Sequence, residues 1–435
     1  MSSTSSDYLL ETLVTWQDVE SELQKSLGTT AKFGEKRKVT NFGHMKGFMS
    51  RIALIEPDWT DPRDDLPQKF IVKICSSLGM KDLFDVISFL KPDSDSASAP
   101  ASESDASAAQ DGKDQMTRLY HNREVDTYKL IARDHNPNLR TTKIFASRPY
   151  LADSEGFLIC EYIPNVHNIP LYGTIAYSDL VPVITAAGAF SAIGERMSDA
   201  EKTSMGGEDR LEEGFRTFFR PDVFPKIQKL LQEALGDEAS SKIEDVMRII
   251  DVICGPSGIL KNYSKISEFL GHRPVLMHSD LWSANMLFVK NSEAKAEEAE
   301  AEDVLEFKAL IDFQDTSFGG AGVDVASVAV CCMSSEDRRR HRDDLLQKYF
   351  ESFVANSNLT SSDDVPYTLT QLQESYDLCF VLLAVQILPI VWSLAEHNGS
   401  DEALKMAREK MIGLIDDAIE IQKANVENFP EFFKI

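Results

Sequence analysis

Residues 275–289 read VLMHSDLWSANMLFV, and residues 309–314 read ALIDFQ. In the first stretch an apolar run, Val275–Met277, breaks into the polar triplet His278-Ser279-Asp280. Asn285 follows five positions after Asp280, and a second apolar run opens beyond it. In the second stretch another apolar run ends in a carboxylate, Asp312. Short apolar runs bounded by polar turns predict buried strands. Asp280 and Asn285 therefore share one tight loop, and Asp312 arrives at the end of a neighbouring strand.

Further out the pattern changes along the chain. Phe48–Ile55 and Lys69–Ile74 predict β-strands, with the turn Gly43–Gly47 ahead of the first. Leu158–Tyr162 predicts a further strand that stops at Pro164. Tyr120, Glu124, Tyr128 and Ala132 recur at helical spacing, so Tyr120–Ala132 predicts a helix. Past Pro164 the expected elements are mainly helices: Tyr177–Met197, Phe224–Leu235, Ser241–Ile253, Asp343–Ala355, Thr370–Ala395 and Asp401–Asn425. The expected fold class is α+β and two-lobed. Residues 1–32 form a helical extension, 33–164 a small strand-rich lobe and 165–435 a larger, mainly helical lobe. Pro92–Asp111 has no apolar residue larger than Ala and predicts a disordered surface loop. Asn291–Asp303 is a second acidic insert, whose Ala/Glu content allows a short exposed helix.

Composition bounds the function. The 435 residues carry 45 Lys+Arg against 70 Asp+Glu, a net charge of −25. That balance argues against a broad grip on nucleic acid or anionic membrane. Hydrophobic residues at 43% and aromatics at 9% suffice for a sizeable core, which excludes wholesale disorder. The start, MSSTSSDYLL, has neither a basic nor an apolar signal region, so no secretory signal is expected. The longest apolar stretch, Phe380–Trp392, is interrupted by Gln386 and Pro389 and falls short of the roughly 20 residues of a membrane span. Six scattered cysteines lack metal-ligand spacing and read as buried reduced thiols. The expectation is a cytoplasmic protein with no nucleic-acid, membrane or protein partner.

The loop residues suit one chemistry. In phosphoryl transfer a carboxylate accepts the proton of the attacking hydroxyl, while an Asn and a second carboxylate hold the metal ions that neutralise the phosphates. The pattern H-x-D-x-x-x-x-N followed by I-D-F, here His278 to Asn285 and Ile311 to Phe313, resembles the catalytic and metal loops of the protein-kinase-like phosphotransferases. Within that set it resembles the aminoglycoside phosphotransferase and choline kinase group, and in particular the ecdysteroid-kinase-like (CHK kinase-like) family, through the strings HSDLWSAN and IDFQ. The resemblance implies that Asp280 is the catalytic base, that His278 supports its loop, and that Asn285 and Asp312 bind Mg²⁺. It also implies ATP as the phosphoryl donor.

Upstream residues fit the same scheme. Lys73, in the strand Phe70–Ile74, is expected to reach the nucleotide phosphates, with Glu124 on the following helix as its ion-pair partner. A solvated lysine on a strand face is the alternative, and Asp126 and Glu103 are neighbouring acids. Gly43 and Gly47 frame a turn that the resemblance places over ATP, although an ordinary hairpin turn would read the same way. Glu161 and Tyr162, where the strand-rich part gives way to the helical part, are expected to pair with adenine through their backbone.

Two features depart from protein kinases. Trp282 stands where the protein Ser/Thr kinase pattern has Lys. From Asp312 only a short stretch leads to Gly319-Gly-Ala-Gly-Val-Asp324, with no room for an activation segment ending in A-P-E. The expected acceptor is accordingly a small molecule, and the resemblance implies an alcohol such as a steroid, a choline-like amine or a conjugated xenobiotic. A catalytically silent binding module of the same fold is the alternative. Asp324 is expected to cap a helix or brace the loop. Trp282, Phe313 and Phe318 read as core more than as pocket lining, and Arg338-Arg339-Arg340-His341-Arg342 as a solvated helix start.

Overall fold

The structure, a computed structural model, describes residues 7–42, 50–76, 86–90, 103–151, 154–220, 222–290, 305–361 and 364–434. The turn framed by Gly43 and Gly47 and the acidic insert 291–303 lie outside the described residues. The chain divides into two compact units. The first comprises residues 1–86, 91–132 and 141–165, and the second 87–90, 133–140 and 166–435.

The first unit is built on an antiparallel sheet of β1 (Lys38–Asn41), β2 (Ser50–Glu56), β3 (Phe70–Cys75), β4 (Ile144–Arg148) and β5 (Phe157–Glu161), in the order β1-β2-β3-β5-β4. Side chains alternate across a strand. In β3 this buries Phe70, Val72 and Ile74 on one face and turns Ile71 and Lys73 to the other. The apolar face packs against the helix Trp16–Leu27, whose Val19 and Leu23 join Phe33, Trp59, Phe70, Val72 and Ile74 in one core. That helix starts at a capping box between Thr15 and Asp18 and stops at Gly28, whose φ of +62° suits a residue without Cβ. The N-terminal extension thus contributes Leu9, Val14, Val19, Leu23 and Ala31 to this unit's core.

The next helix, Glu103–Asp134, is longer than expected. It begins inside the stretch read as disordered, and Glu103–Asp111 is helical. Ala, Glu and Gln permit helix, so a nucleus at Tyr120–Ala132 can propagate back through them. Residues 92–102 lie outside the described residues.

The second unit adds β6 (Val166–His167), β7 (Val275–Met277), β8 (Met286–Lys290), β9 (Leu305–Leu310) and β10 (Ser317–Gly319). They form a three-stranded sheet β6-β8-β9 and a two-stranded ladder β7-β10. Around them run the helices Tyr177–Ser191, Phe224–Leu235, Ser240–Cys254, Val323–Cys332, Ser335–Asn356, Leu369–Asn398 and Asp401–Asn428. The helix expected to end at Met197 tightens into a 3₁₀ turn, Ala192–Arg196. Asp199–Met205 and Asp209–Phe218 are helices that the sequence reading passed over. The first lasts only seven residues and is held by the Ser198–Glu201 capping box, a signal too short for periodicity. Val323–Cys332 is buried on every side, and Gly322 before it touches the Leu369–Asn398 helix so closely that a Cβ would stand 2.2 Å from the backbone nitrogen of Tyr376.

Two expectations are corrected here. Leu369–Asn398 extends well past the Phe380–Trp392 stretch and is long and apolar enough to cross a membrane by length and composition alone. Most of it is buried inside this unit against Val323–Cys332 and Asp401–Asn428. The basic run is only in part the solvated helix start expected: it opens the helix Ser335–Asn356 with Arg339 and Arg340 exposed, but Arg338 is turned inward. Arg338 is 4% exposed, with Nε 2.7 Å and Nη2 2.6 Å from Asp417 Oδ2. Arg339 Nε reaches the other oxygen of Asp417 at 2.8 Å, and Arg342 forks onto Asp377 at 2.7 Å. Removing one partner strands the other charge in the interior. Asp417→Leu is expected to destabilise the protein by about 3–5 kcal/mol, while Asp417→Leu with Arg338→Met recovers most of the loss, as read by chemical denaturation of both variants.

Candidate active site

In the second unit β7 leads straight into the polar triplet. His278 is fully buried. Its ring Nε2 lies 3.0 Å from the carbonyl of Ile311, which can only accept, so the proton belongs on Nε2. That leaves Nδ1 to accept the N–H of Asp280 at 3.4 Å. Phe313 and Phe190 enclose the ring, with centroids 4.8 and 6.4 Å from it. His278 therefore braces the loop from inside.

Asp324 is the second brace. Its Oδ2 accepts the N–H of His278 at 2.8 Å and its Oδ1 that of Ser279 at 2.9 Å. The helix cap itself is Gly322, so Asp324 acts on the loop. Ser279 is held at φ +68°, a left-handed conformation that a residue with Cβ adopts only when its surroundings impose it. Burial pushes the Asp324 carboxyl up to about 6, against the two N–H groups that favour its charge.

The turn made by Ser279 presents Asp280 to Asn285. The Asn285 carboxamide donates to both the backbone oxygen and Oδ2 of Asp280, each at 2.8 Å. Asn285 sits in a one-turn 3₁₀ helix, Ser283–Asn285. Its carbonyl accepts the N–H of Ile311 at 3.0 Å, which joins this loop to the strand leading to Asp312. Ser283 and Ser327 pin the loop from either side, donating to the carbonyls of Ile169 and Leu281 at 2.7 and 2.9 Å. Asp312 is also left-handed, at φ +67°.

The electrostatics are one-sided. Burial raises the Asp280 carboxyl first, then the carboxylates of Asp315 and Asp312, to about 8, while side-chain hydrogen bonds from Asn285 and Trp282 pull it down. Three acidic groups thus bear on one another at the loop. Among the described residues no set of three His, Cys, Asp or Glu side chains forms a metal cage. Asn285 and Asp312 are nonetheless oxygen donors of the kind Mg²⁺ takes, and the surplus negative charge is what a divalent cation relieves. The residues fit such an ion.

The expected pair in the first unit is formed. Lys73 Nζ stands 2.7 Å from Glu124 Oε2, with the Glu124 side chain 2% exposed. This excludes the solvated-lysine alternative. Asp126 instead pairs with Lys129 at 2.9 Å on the exposed side of the helix. Register sets Lys73 between Ile52 of β2 and Leu158 of β5. Glu161 closes β5, and its N–H is committed to the carbonyl of Lys143 at 2.8 Å. Tyr162 packs edge-on against Phe42, centroids 5.9 Å apart. Any pairing of this segment with a base edge begins after the Glu161 N–H. Gly43 and Gly47 lie outside the described residues.

Asp315 is the residue the sequence reading missed. Its signal is the acid three places after Asp312 in I-D-F-Q-D. Trp282 was read as core, yet it is half-buried and donates to Asp280. Phe313 and Phe318 are buried.

The profile of the family DUF1679, described as "Uncharacterized oxidoreductase dhs-27", matches residues 3–426. The chain belongs to this family. It is 28% identical over 192 residues to "Uncharacterized kinase-like protein D1044.1" of Caenorhabditis elegans, a match covering 41% of this chain and 45% of that protein. The match thus spans less than half the relative's length. Among solved structures, a choline kinase of Cryptosporidium parvum Iowa II aligns with TM-score 0.47 and 11% identity over 91% of this chain and 93% of that one. An ethanolamine kinase of Plasmodium vivax aligns with TM-score 0.36 and 11% identity over 88% and 82%. The DUF1679 chain described here is α+β, a strand-rich first unit preceding a larger helical one.

The raised Asp280 carboxyl fixes the sign of a pH effect. Unfolded, the group ionises near 3.8, and folded near 8. Between those values the folded state holds the extra proton, so this group's contribution to stability falls as pH rises and its full penalty stands above about pH 8. Asp280→Asn is expected to raise the melting temperature of metal-free protein by several degrees at pH 8, and to change nothing near pH 4.

Proposed function

We propose that this protein is an ATP-dependent kinase of small molecules, transferring the γ-phosphoryl group to a hydroxyl of an organic substrate. The supporting observation is the loop in which Asn285 grips Asp280 from two sides while Asp312 and Asp315 bear on the same carboxylate. A base needs a fixed direction and a pKa near the working pH. Asn285 and Trp282 give Asp280 the direction, and in the metal-free protein burial holds its carboxyl high for an acid. In this reading Asp280 orients the acceptor hydroxyl and takes its proton as that oxygen takes the phosphoryl group. Lys73, its charge steadied by Glu124, meets the nucleotide phosphates. Asn285 and Asp312 are the residues that would hold Mg²⁺, which when bound neutralises phosphate charge. The barrier falls through positioning and charge compensation.

Trp282 and the short Gly319–Asp324 connection favour a small acceptor over a peptide. The kinase-like relative of Caenorhabditis elegans agrees with this class without fixing the acceptor. A steroid, a choline-like amine and a xenobiotic conjugate are the acceptors to test first.

The test is ATP consumption by purified protein with Mg²⁺ against sterols, choline, ethanolamine and glycosides, with NADH and NADPH as alternative co-substrates. Turnover with one acceptor, reduced at least ~10³-fold by Asp280→Ala and ~10²-fold by Lys73→Met, is the expected result. Removing Mg²⁺ with chelator is expected to abolish it. Oxidation of NADH or NADPH with ATP untouched would replace the kinase reading, and ATP binding without turnover on any acceptor would leave a silent module.

A further inference from the structure

The N-terminal helix, the β4–β5 hairpin and the helix carrying Glu124 are joined by contacts that phosphoryl transfer itself does not use. Asp18, in the first turn of Trp16–Leu27, takes Arg148 Nη1 at 2.6 Å, and the Arg148 guanidinium lies 4.4 Å from the centre of the Phe157 ring. The Leu13 N–H donates to Glu155 at 2.7 Å, and Ser26 donates to the carbonyl of Phe145. The hairpin is thus held on one side by three points spread along the N-terminal segment.

On its other side the same hairpin holds the long helix. The carbonyl of Arg148 accepts from His121 Nε2 at 2.9 Å. Asn122 pairs with both backbone groups of Tyr150, donating to its carbonyl at 3.1 Å and accepting its N–H at 2.7 Å. Gly156 lies so close to His121 that a Cβ would stand 2.3 Å from Nε2. Two residues beyond Asn122 is Glu124.

We propose that the N-terminal helix is a positioning element for the Lys73–Glu124 pair, acting through Arg148 and Asn122. A helix lying on a sheet can slide and roll, and an ion pair at 2.7 Å is sensitive to both. The two-way Asn122–Tyr150 pair fixes slide and roll together, because it engages a donor and an acceptor of one residue. It can do so only while the hairpin is itself fixed, and Asp18 and the Leu13 N–H supply that from a different element. What the pair does for a nucleotide rests on the function proposed above. That the N-terminal helix sets the pair's geometry does not.

The test uses the full chain and a double-mutant cycle on ATP affinity by calorimetry. Asp18→Asn is expected to weaken ATP binding roughly tenfold in the wild type and to add no loss in a Glu124→Gln background, since both act through one pair. A merely structural role gives additive losses and overturns the proposal. Arg148→Lys, which keeps the charge, is expected to restore most of what Arg148→Met loses. Asn122→Leu is expected to reproduce the Asp18→Asn pattern more strongly. Should that variant not fold, Asn122→Asp keeps the acceptor for Tyr150 and is expected to give an intermediate loss. Amide hydrogen exchange is the independent readout. Faster exchange over residues 114–134 in Asp18→Asn supports the positioning role, and unchanged exchange there overturns it. Should the wild type bind no ATP, the kinase reading falls and the exchange result alone decides.

Discussion

The Asp324 carboxylate, 1% exposed, gives one oxygen to the N–H of His278 and the other to that of Ser279. A carboxylate this deeply buried is costly, and it persists because two oriented N–H groups and the first turn of the Val323–Cys332 helix offset the loss of water. The return is a backbone shape that would not otherwise form. Ser279 stays left-handed, and that turn directs Asp280 to Asn285. His278 repeats the logic one layer down, its two ring nitrogens linking the Ile311 carbonyl to the Asp280 N–H. Loop, strand end and helix start are therefore one hydrogen-bonded unit, and Gly322 lets the Leu369–Asn398 helix close over it.

Charge at this loop runs in the opposite direction from shape. Asp280, Asp312 and Asp315 repel one another, and the position where a protein Ser/Thr kinase has Lys is Trp282, a donor without charge. An indole N–H can orient a carboxylate but cannot cancel it. The arrangement is thus aimed but electrostatically incomplete, as befits a site whose compensating charge arrives with the ligand. Burial first, and then this incompleteness, explains why the protonated Asp280 carboxyl is favoured in metal-free protein.

How much of this was legible follows from what a sequence shows directly. The triplet His278-Ser279-Asp280, Asn285 and Asp312 were legible because their spacing is local and the flanking strands are apolar. Lys73 and Glu124 were legible as a strand lysine and a helix acid, yet their 2.7 Å contact joins residues 51 positions apart. Asp324 was seen as a helix cap or a brace for the loop, and nothing in the chain says which of the two it is or which N–H groups it meets. Asp315 was passed over because one acid beside I-D-F looks like any polar residue. The basic run was misread in part, for a physical reason: Arg338 is buried by Asp417, 79 positions away, and composition cannot reveal a distant partner. The back-extension of the helix to Glu103 was missed because low hydrophobicity says that a segment buries little, not that its backbone is irregular.

Polar groups inside the helical unit carry the same argument further. Lys410 Nζ is buried with no carboxylate on it and donates to three carbonyls, those of Leu171 at 2.6 Å, Gly173 at 2.9 Å and Cys331 at 2.5 Å. Burial lowers its pKa to about 8. Cys331 is near the end of the helix whose first turn holds Asp324. One end of Val323–Cys332 is therefore fixed to the Asp280 loop, and the other to Asp401–Asn428. An apolar helix buried on all sides has no facial preference of its own to set its rotation or depth. Two buried ionisable groups, one at each end, supply that register by tying the helix to the Asp280 loop and to the C-terminal helix.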